Sequence, residues 1–279
     1  YYEAGVQFQT WRTAPAVMMG RGINRQIKRA YGYLASRYRP GDKIFLIGYS
    51  RGAYAVRSLA GVIEGVGLLK PEEATVRNVR QAYRLYQTGI PAETTREFSQ
   101  SRCYEGIEIK MIGVWDTVKA LGVRLPVIWR ISAPNHEFHN HRLGKSIKNG
   151  FHALALDETR KVFEPVMWKC DGLGDMRVQQ MWFRGAHGDI GGMLGGFMPA
   201  RLLSNIPLIW MLERLENCGI PLPPNWQMRY PTKASAPSVG TWRSWGKLFW
   251  LRGQREIGKD PSERMHSSAL EQGYSLSEK

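Results

Sequence analysis

Between Ile23 and Arg37 apolar residues return every three or four positions. Ile23, Ile27, Ala30, Tyr31 and Leu34 fall on one side, and Arg25, Lys28, Arg29 and Arg37 fill the other. That period predicts an amphipathic helix, stopped by Arg39-Pro-Gly-Asp42. Lys43-Ile-Phe-Leu-Ile-Gly48 then runs short and apolar without alternation, as a buried parallel strand does. After Ser50 the helical spacing resumes at Ala53, Val56, Leu59, Ala60, Ile63 and Val66. Helix, buried strand, tight turn and buried helix in succession is the doubly wound α/β pattern.

Lys70 to Arg102 is polar and helical in texture, and is expected to lie outside the sheet. Ile107 to Val114 predicts the next strand. Val123 to Gly150 reads as loop, with Pro126, Pro134 and the cluster His136, His139, His141. Met176 to Phe183 predicts a further strand running into the Gly-rich stretch Gly185 to Gly196, and Leu202 to Leu215 predicts a strongly apolar helix. Beyond Cys218 the texture changes, with Pro221, Pro223, Pro224 and then Ala234-Ser-Ala-Pro-Ser238, which reads as a linker. No internal repeat is found.

The strand-to-helix turn carries the first chemistry. Gly48-Tyr-Ser-Arg-Gly52 fits G-x-S-x-G, the nucleophile elbow in which a serine sits on a strained turn at a helix N-terminus. Small residues are expected at both flanking positions, where a side chain would meet the neighbouring strand and helix. The backbone N–H of Arg51, next after the serine, is expected to serve an oxyanion. A serine needs a base, and the base needs an orienting acid, in chain order Ser, acid, His. Asp116 directly follows a predicted strand in Val114-Trp-Asp-Thr-Val118, so it should share the elbow's edge of the sheet. His187, in Arg184-Gly-Ala-His-Gly-Asp-Ile-Gly-Gly192, follows the last clear strand among small neighbours. Asp189 is the rival acid, and its default reading is to order the Gly-rich loop through local hydrogen bonds. His152 opens the apolar stretch His152-Ala-Leu-Ala-Leu156 and reads as a core histidine, while His266 falls in the polar tail. The 136–141 histidines have only Glu137 beside them and read as a solvated loop, not a metal site.

Composition changes this picture in a few respects. The 279 residues, 43% of them hydrophobic, suffice for one well-filled domain. The net charge of +15 and pI near 9.9 favour anionic partners, and solubility alone also accounts for them. Cys103, Cys170 and Cys218 lie far apart without C-x-x-C spacing, which argues against a disulfide framework or thiolate metal site. There is no secretory signal peptide pattern and no apolar run of about 18 residues. A cytoplasmic chain is expected, with delivery by a specialised secretion system left open. Neither metal nor organic cofactor is expected, nor a nucleic-acid partner. Thr241-Trp-Arg-Ser-Trp-Gly-Lys-Leu-Phe-Trp-Leu-Arg252 sets Trp242, Trp245, Leu248 and Phe249 on one helical side and Arg243 and Lys247 on another. It suits contact with an anionic membrane surface, or docking back onto the core.

The ordered set Pro40 to Tyr54, Arg57-Ser-Leu-Ala-Gly61, Gly67-Leu-Leu69, Ile112-Gly-Val-Trp-Asp-Thr-Val118, His152-Ala-Leu-Ala-Leu-Asp-Glu158 and Trp182 to Gly192 resembles a known family. It is the α/β-hydrolase-like domain that includes the type VI secretion phospholipase effectors, long catalogued as a domain of unknown function. The resemblance runs over most of residues 1 to 218. It implies a lipid ester substrate and a triad at Ser50, Asp116 and His187, the residues already chosen on chemical grounds. Two departures stand out. Family members usually open with a strand ending in Asp-Gly-Thr, which Tyr1 does not offer, and Lys119 stands where a glycine is common. That leaves the second oxyanion donor unassigned.

The fold expected is therefore α/β and α/β-hydrolase-like, a mostly parallel sheet with helices on both faces. Residues 1–230 form the domain, its first strand expected upstream, and residues 231–279 a linker and C-terminal tail. The expected function is a serine carboxylester hydrolase of lipolytic type. The alternative is a non-catalytic hydrolase-like module that binds an anionic membrane surface or acidic partner, a use that has no need of a complete triad.

Overall fold

The patterned segments become elements because each has a face to bury. The computed structural model describes residues 1–4, 22–89, 91–118, 141–170, 176–242 and 250–276. The longer elements are α1 (Ile23–Arg37), β1 (Ile44–Tyr49), α2 (Arg51–Val66), β2 (Leu68–Leu69), α3 (Val76–Thr88), α4 (Ala92–Arg102), β3 (Cys103–Tyr104), β4 (Ile109–Trp115), β5 (Gly150–Ala155), β6 (Val178–Phe183), α5 (His187–Ile190), α6 (Arg201–Asn217), β7 (Glu263–Met265) and α7 (Ser267–Leu270). The architecture is α/β: a mostly parallel five-stranded sheet in the order β1-β4-β5-β6-β7, with helices around it, and a separate β2–β3 pair. Among the described residues, no helix is long and apolar enough to cross a membrane.

The chain divides into two compact units. The first comprises Tyr1–Leu46, Tyr54–Ile112 and Ala120–Lys148. Here α1 buries Ile23, Ile27, Tyr31 and Ala35, a four-residue stride along one face. The Tyr31 hydroxyl donates to Gly67 O (2.8 Å) and accepts from Leu69 N–H (3.2 Å), tying α1 to the antiparallel β2–β3 pair. The polar stretch from Lys70 to Arg102 forms α3 and α4, the former capped by Thr75 Oγ1, which accepts from Asn78 N–H (3.2 Å).

The second unit comprises Ile47–Ala53, Gly113–Lys119 and Asn149–Lys279. Strand β5 runs parallel to β6 from Gly150↔Val178 to Ala155↔Phe183, and all six of its residues are buried. Phe151 and Phe183 meet Trp210 of α6 edge-on, at 6.1 and 5.6 Å between ring centres. The reading of loop up to Gly150 left β5 unnamed as a strand. Six buried residues lacking both alternation and a β-branched side chain carry no periodic signal.

Residues 231–279, expected as linker and tail, also contribute to the sheet. Strand β7 lies parallel to β6, with Gln180 opposite Glu263 and Trp182 opposite Met265. Its sequence, Glu-Arg-Met, has no strand pattern, so what places it is side-chain bonding. Glu263, 4% exposed, accepts from Trp182 Nε1–H (2.7 Å) and from the backbone N–H groups of Gly258, Lys259 and Asp260 (2.8, 3.0 and 2.8 Å). Removing that carboxylate leaves the buried Trp182 indole N–H unpaired, at about 1–3 kcal/mol, and frees the three loop N–H groups. Glu263→Ala is therefore expected to cost about 2–3 kcal/mol in urea denaturation. A loss under about 1 kcal/mol would show that the strand is held some other way.

Candidate active site

The candidate site lies within the second unit, where β1, β4 and β6 end. Strand β1 stops at Tyr49 and α2 starts at Arg51, which leaves Ser50 alone on the turn at φ 58°. That left-handed backbone costs a non-glycine residue about 1–3 kcal/mol. It is held by Ser50 N–H donating to Trp115 O (2.9 Å), while Ser50 O accepts from Val118 N–H (3.4 Å). A Cβ on Gly48 would sit 2.6 Å from Gly52 O and 2.7 Å from Ala53 N, both backbone atoms, so only glycine fits. The expectation for Gly52 differs from what is found: among the described residues, a Cβ there meets nothing within 4 Å. The crowding falls on one flank of the serine.

Asp116 follows β4 directly and also takes a positive φ of 42°, with its N–H donating to Ala153 O (2.8 Å). His187 is the first residue of α5, a short helix reached from β6 through Arg184-Gly-Ala. These positions converge. His187 Nε2 lies 2.9 Å from Ser50 Oγ, and His187 Nδ1 lies 2.6 Å from Asp116 Oδ2. Asp116 is fully buried and His187 is 3% exposed.

Two aromatic rings pack against the imidazole. The Tyr49 ring lies 4.7 Å from it at 31°, and the Phe163 ring 4.6 Å at 23°. Tyr49 Oη donates to His187 O (3.0 Å). This approach requires a glycine at 191, where a Cβ would fall 2.0 Å from the Tyr49 ring. Behind Phe163 the Arg160 guanidinium stands 4.3 Å from the ring centre. Arg160 also pairs with the buried Glu158 through Nε and Nη2 (2.7 and 2.6 Å), and Glu158 Oε2 accepts the His187 backbone N–H (3.2 Å). Burial pushes the Glu158 carboxyl up, but Arg160 holds it below its ordinary value.

Asp116 has a partner that no motif foretold. Arg255 Nη1 donates to Asp116 Oδ1 (2.6 Å) and Nη2 to Oδ2 (2.9 Å), while Ala155 N–H donates to Oδ1 (3.2 Å). Burial works to raise the Asp116 carboxyl. The Arg255 charge and the bonds from His187 and Arg255 outweigh it and hold the group well below the usual carboxylate range. Arg255 is one of 39 Lys and Arg residues in the chain and lies in the stretch expected as a tail, so nothing in the sequence marked it.

The other expected residues fall elsewhere. Asp189 accepts from Ala186 N–H (2.8 Å), Val239 N–H (2.8 Å) and Ser238 Oγ–H (2.5 Å), an ordering arrangement that reaches beyond its own loop. Arg51 heads α2, so its N–H is at the helix N-terminus beside Ser50. His152 is fully buried on β5, its Nε2 accepting from Thr117 N–H (3.1 Å). His266 caps α7 and lies 4.7 Å from the Phe183 ring. His136, His139, Lys119, Trp245 and Phe249 lie outside the described residues. Trp242 is exposed, with the Arg252 guanidinium 3.8 Å from its ring centre. Cys103 and Cys218 are buried free thiols, and Cys170 is a half-buried one.

Comparison with known proteins adds the following. The sequence profile described as "T6SS, Phospholipase effector Tle1-like, catalytic domain" matches residues 1–214. The chain is 30% identical over 159 residues to the uncharacterized protein YEL023C of Saccharomyces cerevisiae, covering 53% of this chain and 22% of that protein. It is 21% identical, with a TM-score of 0.33, to the Tle1 effector in the structure of that effector bound to the VgrG spike from the type 6 secretion system. That match covers 63% of this chain and 30% of the effector. The chain thus spans less than a third of the length of either relative.

The two flanks of Ser50 should respond oppositely to the same substitution. Gly48→Ala drives a methyl into backbone and is expected to lower the melting temperature by several degrees, about 2 kcal/mol or more. Gly52→Ala, in open space on a helix, should leave stability unchanged or raise it by about 0.5–1 kcal/mol. Equal destabilisation by both would refute the one-sided crowding.

Proposed function

Because the chain belongs to the family of type VI secretion Tle1-like phospholipase effector catalytic domains, we propose that it is a serine carboxylester hydrolase acting on lipid esters through Ser50, His187 and Asp116. The observation that carries this reading is the unbroken hydrogen-bonded line from Ser50 Oγ through the His187 ring to Asp116 Oδ2. A buried carboxylate at Nδ1 keeps the proton on that nitrogen and leaves Nε2 free to accept one from the serine. Ser50 Oγ then attacks the ester carbonyl, and the oxyanion forms at the start of α2, where the Arg51 N–H and the helix N-terminus favour negative charge. The proton taken by His187 passes to the departing alcohol, leaving an acyl group on Ser50. Water, deprotonated by the same Nε2, attacks that acyl carbon, and His187 returns the proton to Ser50 Oγ as the acyl–oxygen bond breaks and the carboxylic acid leaves. The ring contacts from Tyr49 and Phe163 keep the imidazole in one orientation through both halves.

Ser50→Ala is expected to abolish labelling by a fluorophosphonate and hydrolysis of a short-chain ester, with the fold intact by circular dichroism. Activity within tenfold of the parent would remove Ser50 from the reaction. Asp116→Asn should lower turnover by about 10⁴, and also lower the melting temperature, because Arg255 is then buried without its counter-charge. Asp189→Asn should act mainly through loop order, with a smaller loss. A reversed ranking would move the acid to Asp189.

The Trp-rich segment is proposed to hold the enzyme on anionic bilayers. The exposed rings of Trp242 and Trp250 flank it among basic residues. Replacing Trp242, Trp245 and Phe249 with Ser should reduce binding to vesicles containing phosphatidylglycerol while sparing hydrolysis of a soluble ester. Loss of both, with a lower melting temperature, would assign the segment to the core.

A further inference from the structure

The family profile ends at residue 214, yet the candidate acid takes its strongest partner from residue 255. We propose that Arg255 is a positioning residue of this site, locking the Asp116 carboxylate toward His187 and offsetting its charge beside the imidazole. This rests on the hydrolase reading above.

The geometry is that of a fork seated on both oxygens of a carboxylate. Arg255 Nη1 and Nη2 each take one oxygen of Asp116, at 2.6 and 2.9 Å. The same nitrogens donate to Ala155 O (2.8 Å) and Phe163 O (2.6 Å). The guanidinium side chain is 5% exposed, so solvent does little to screen it. Both carboxylate oxygens are thereby fixed in direction: Oδ1 faces Ala155 N–H and Arg255, and Oδ2 faces Arg255 and His187 Nδ1. A planar fork can impose that orientation, whereas a point charge cannot. Because Phe163 supplies one of the carbonyls and also stacks on the imidazole, the same arginine braces the ring wall of the base.

The charge has a separate consequence. Around the imidazole stand Tyr49 at the end of β1, whose phenol burial pushes well above its ordinary value, and Asp116 after β4. Glu158 and Arg160 pair with each other beside α5, Asp189 on α5 is bonded to two backbone N–H groups and Ser238, and Arg255 faces Asp116. With Arg255 present, Asp116 and Arg255 sum to zero, so Asp116 attracts a charge on His187 less than it would alone. Without it, protonating His187 neutralises Asp116. Removing the arginine therefore favours the imidazolium and raises the pH at which the base becomes free.

The test is the second-order rate of fluorophosphonate labelling from about pH 5 to about pH 9, measured on the whole chain and on Arg255→Gln and Arg255→Lys, with melting curves for each. Arg255→Gln removes the charge, and the midpoint of its acid limb should rise by about one pH unit or more. Arg255→Lys keeps the charge without the fork, so its midpoint should stay with the parent while its plateau rate falls about tenfold or more. A folded Arg255→Gln with an unmoved midpoint overturns the electrostatic role, and Arg255→Lys at the parent plateau overturns the positioning role. If Arg255→Gln does not fold, the Lys variant decides, since a merely structural arginine predicts a lower melting temperature at an unchanged labelling rate. A parent chain that fails to label at every pH is a different failure, removing the hydrolase reading and the role of Arg255 with it.

Discussion

A carboxylate at zero exposure is the constraint around which the candidate site is organised. Taking Asp116 out of water costs several kcal/mol unless its charge is met and its lone pairs are filled. The chain meets that demand from widely separated places. Ala155 supplies a backbone N–H at the end of β5, His187 an imidazole N–H at the start of α5, and Arg255 a guanidinium from beyond α6. Each donor is directional, so filling the carboxylate also sets the register of β5 beside the Asp116 turn and the tautomer of His187. Stability and chemical readiness here come from the same bonds, and neither can be altered without the other.

A second layer of constraint works through shape. The imidazole packs against Tyr49 and Phe163, so a ring flip away from Ser50 would have to move against aromatic rings that are themselves anchored. Tyr49 is held by its bond to His187 O, and Phe163 stands against Arg160, which is bonded to Glu158. Gly191 is a place where this crowding leaves no room for a side chain, since a Cβ there would fall against the Tyr49 ring. Such preorganisation lowers the cost of reaching a reactive geometry, because little has to move when charge develops. The strained backbone at Ser50 and Asp116 is of the same kind: unfavourable torsions kept by surrounding bonds because they aim side chains off the ends of strands.

The C-terminal stretch shows how a site can depend on chain outside its recognisable motifs. Glu263 gathers the loop from Gly258 to Asp260 and the Trp182 indole, which seats β7 on β6. A few residues upstream the same stretch delivers Arg255. Asp189 makes a comparable reach, binding Ser238 and Val239 to the turn that carries His187. Residues that read as linker by composition thus act as a strap tied to the second unit through buried acids, Asp189 and Glu263.

What the sequence determined was whatever depends on neighbours along the chain. The stride of α1, the apolar run of β1 and the glycine before Ser50 each have a local physical cause. So does the position of Asp116 and His187 just past strands, and from these the α/β class and the candidate residues followed. What only tertiary structure decided was whatever depends on residues distant in sequence. Strand β5 is six buried residues without a period, and β7 is three polar-flanked residues whose seating on β6 uses the distant Trp182 and Gln180 side chains. The open space at Gly52 belongs to the packing around it, not to the motif. Arg255 is the sharpest case, for a basic residue in a basic chain has no local signature. Its meaning arises only when folding buries a negative charge 139 positions away and makes that arginine the group that compensates it.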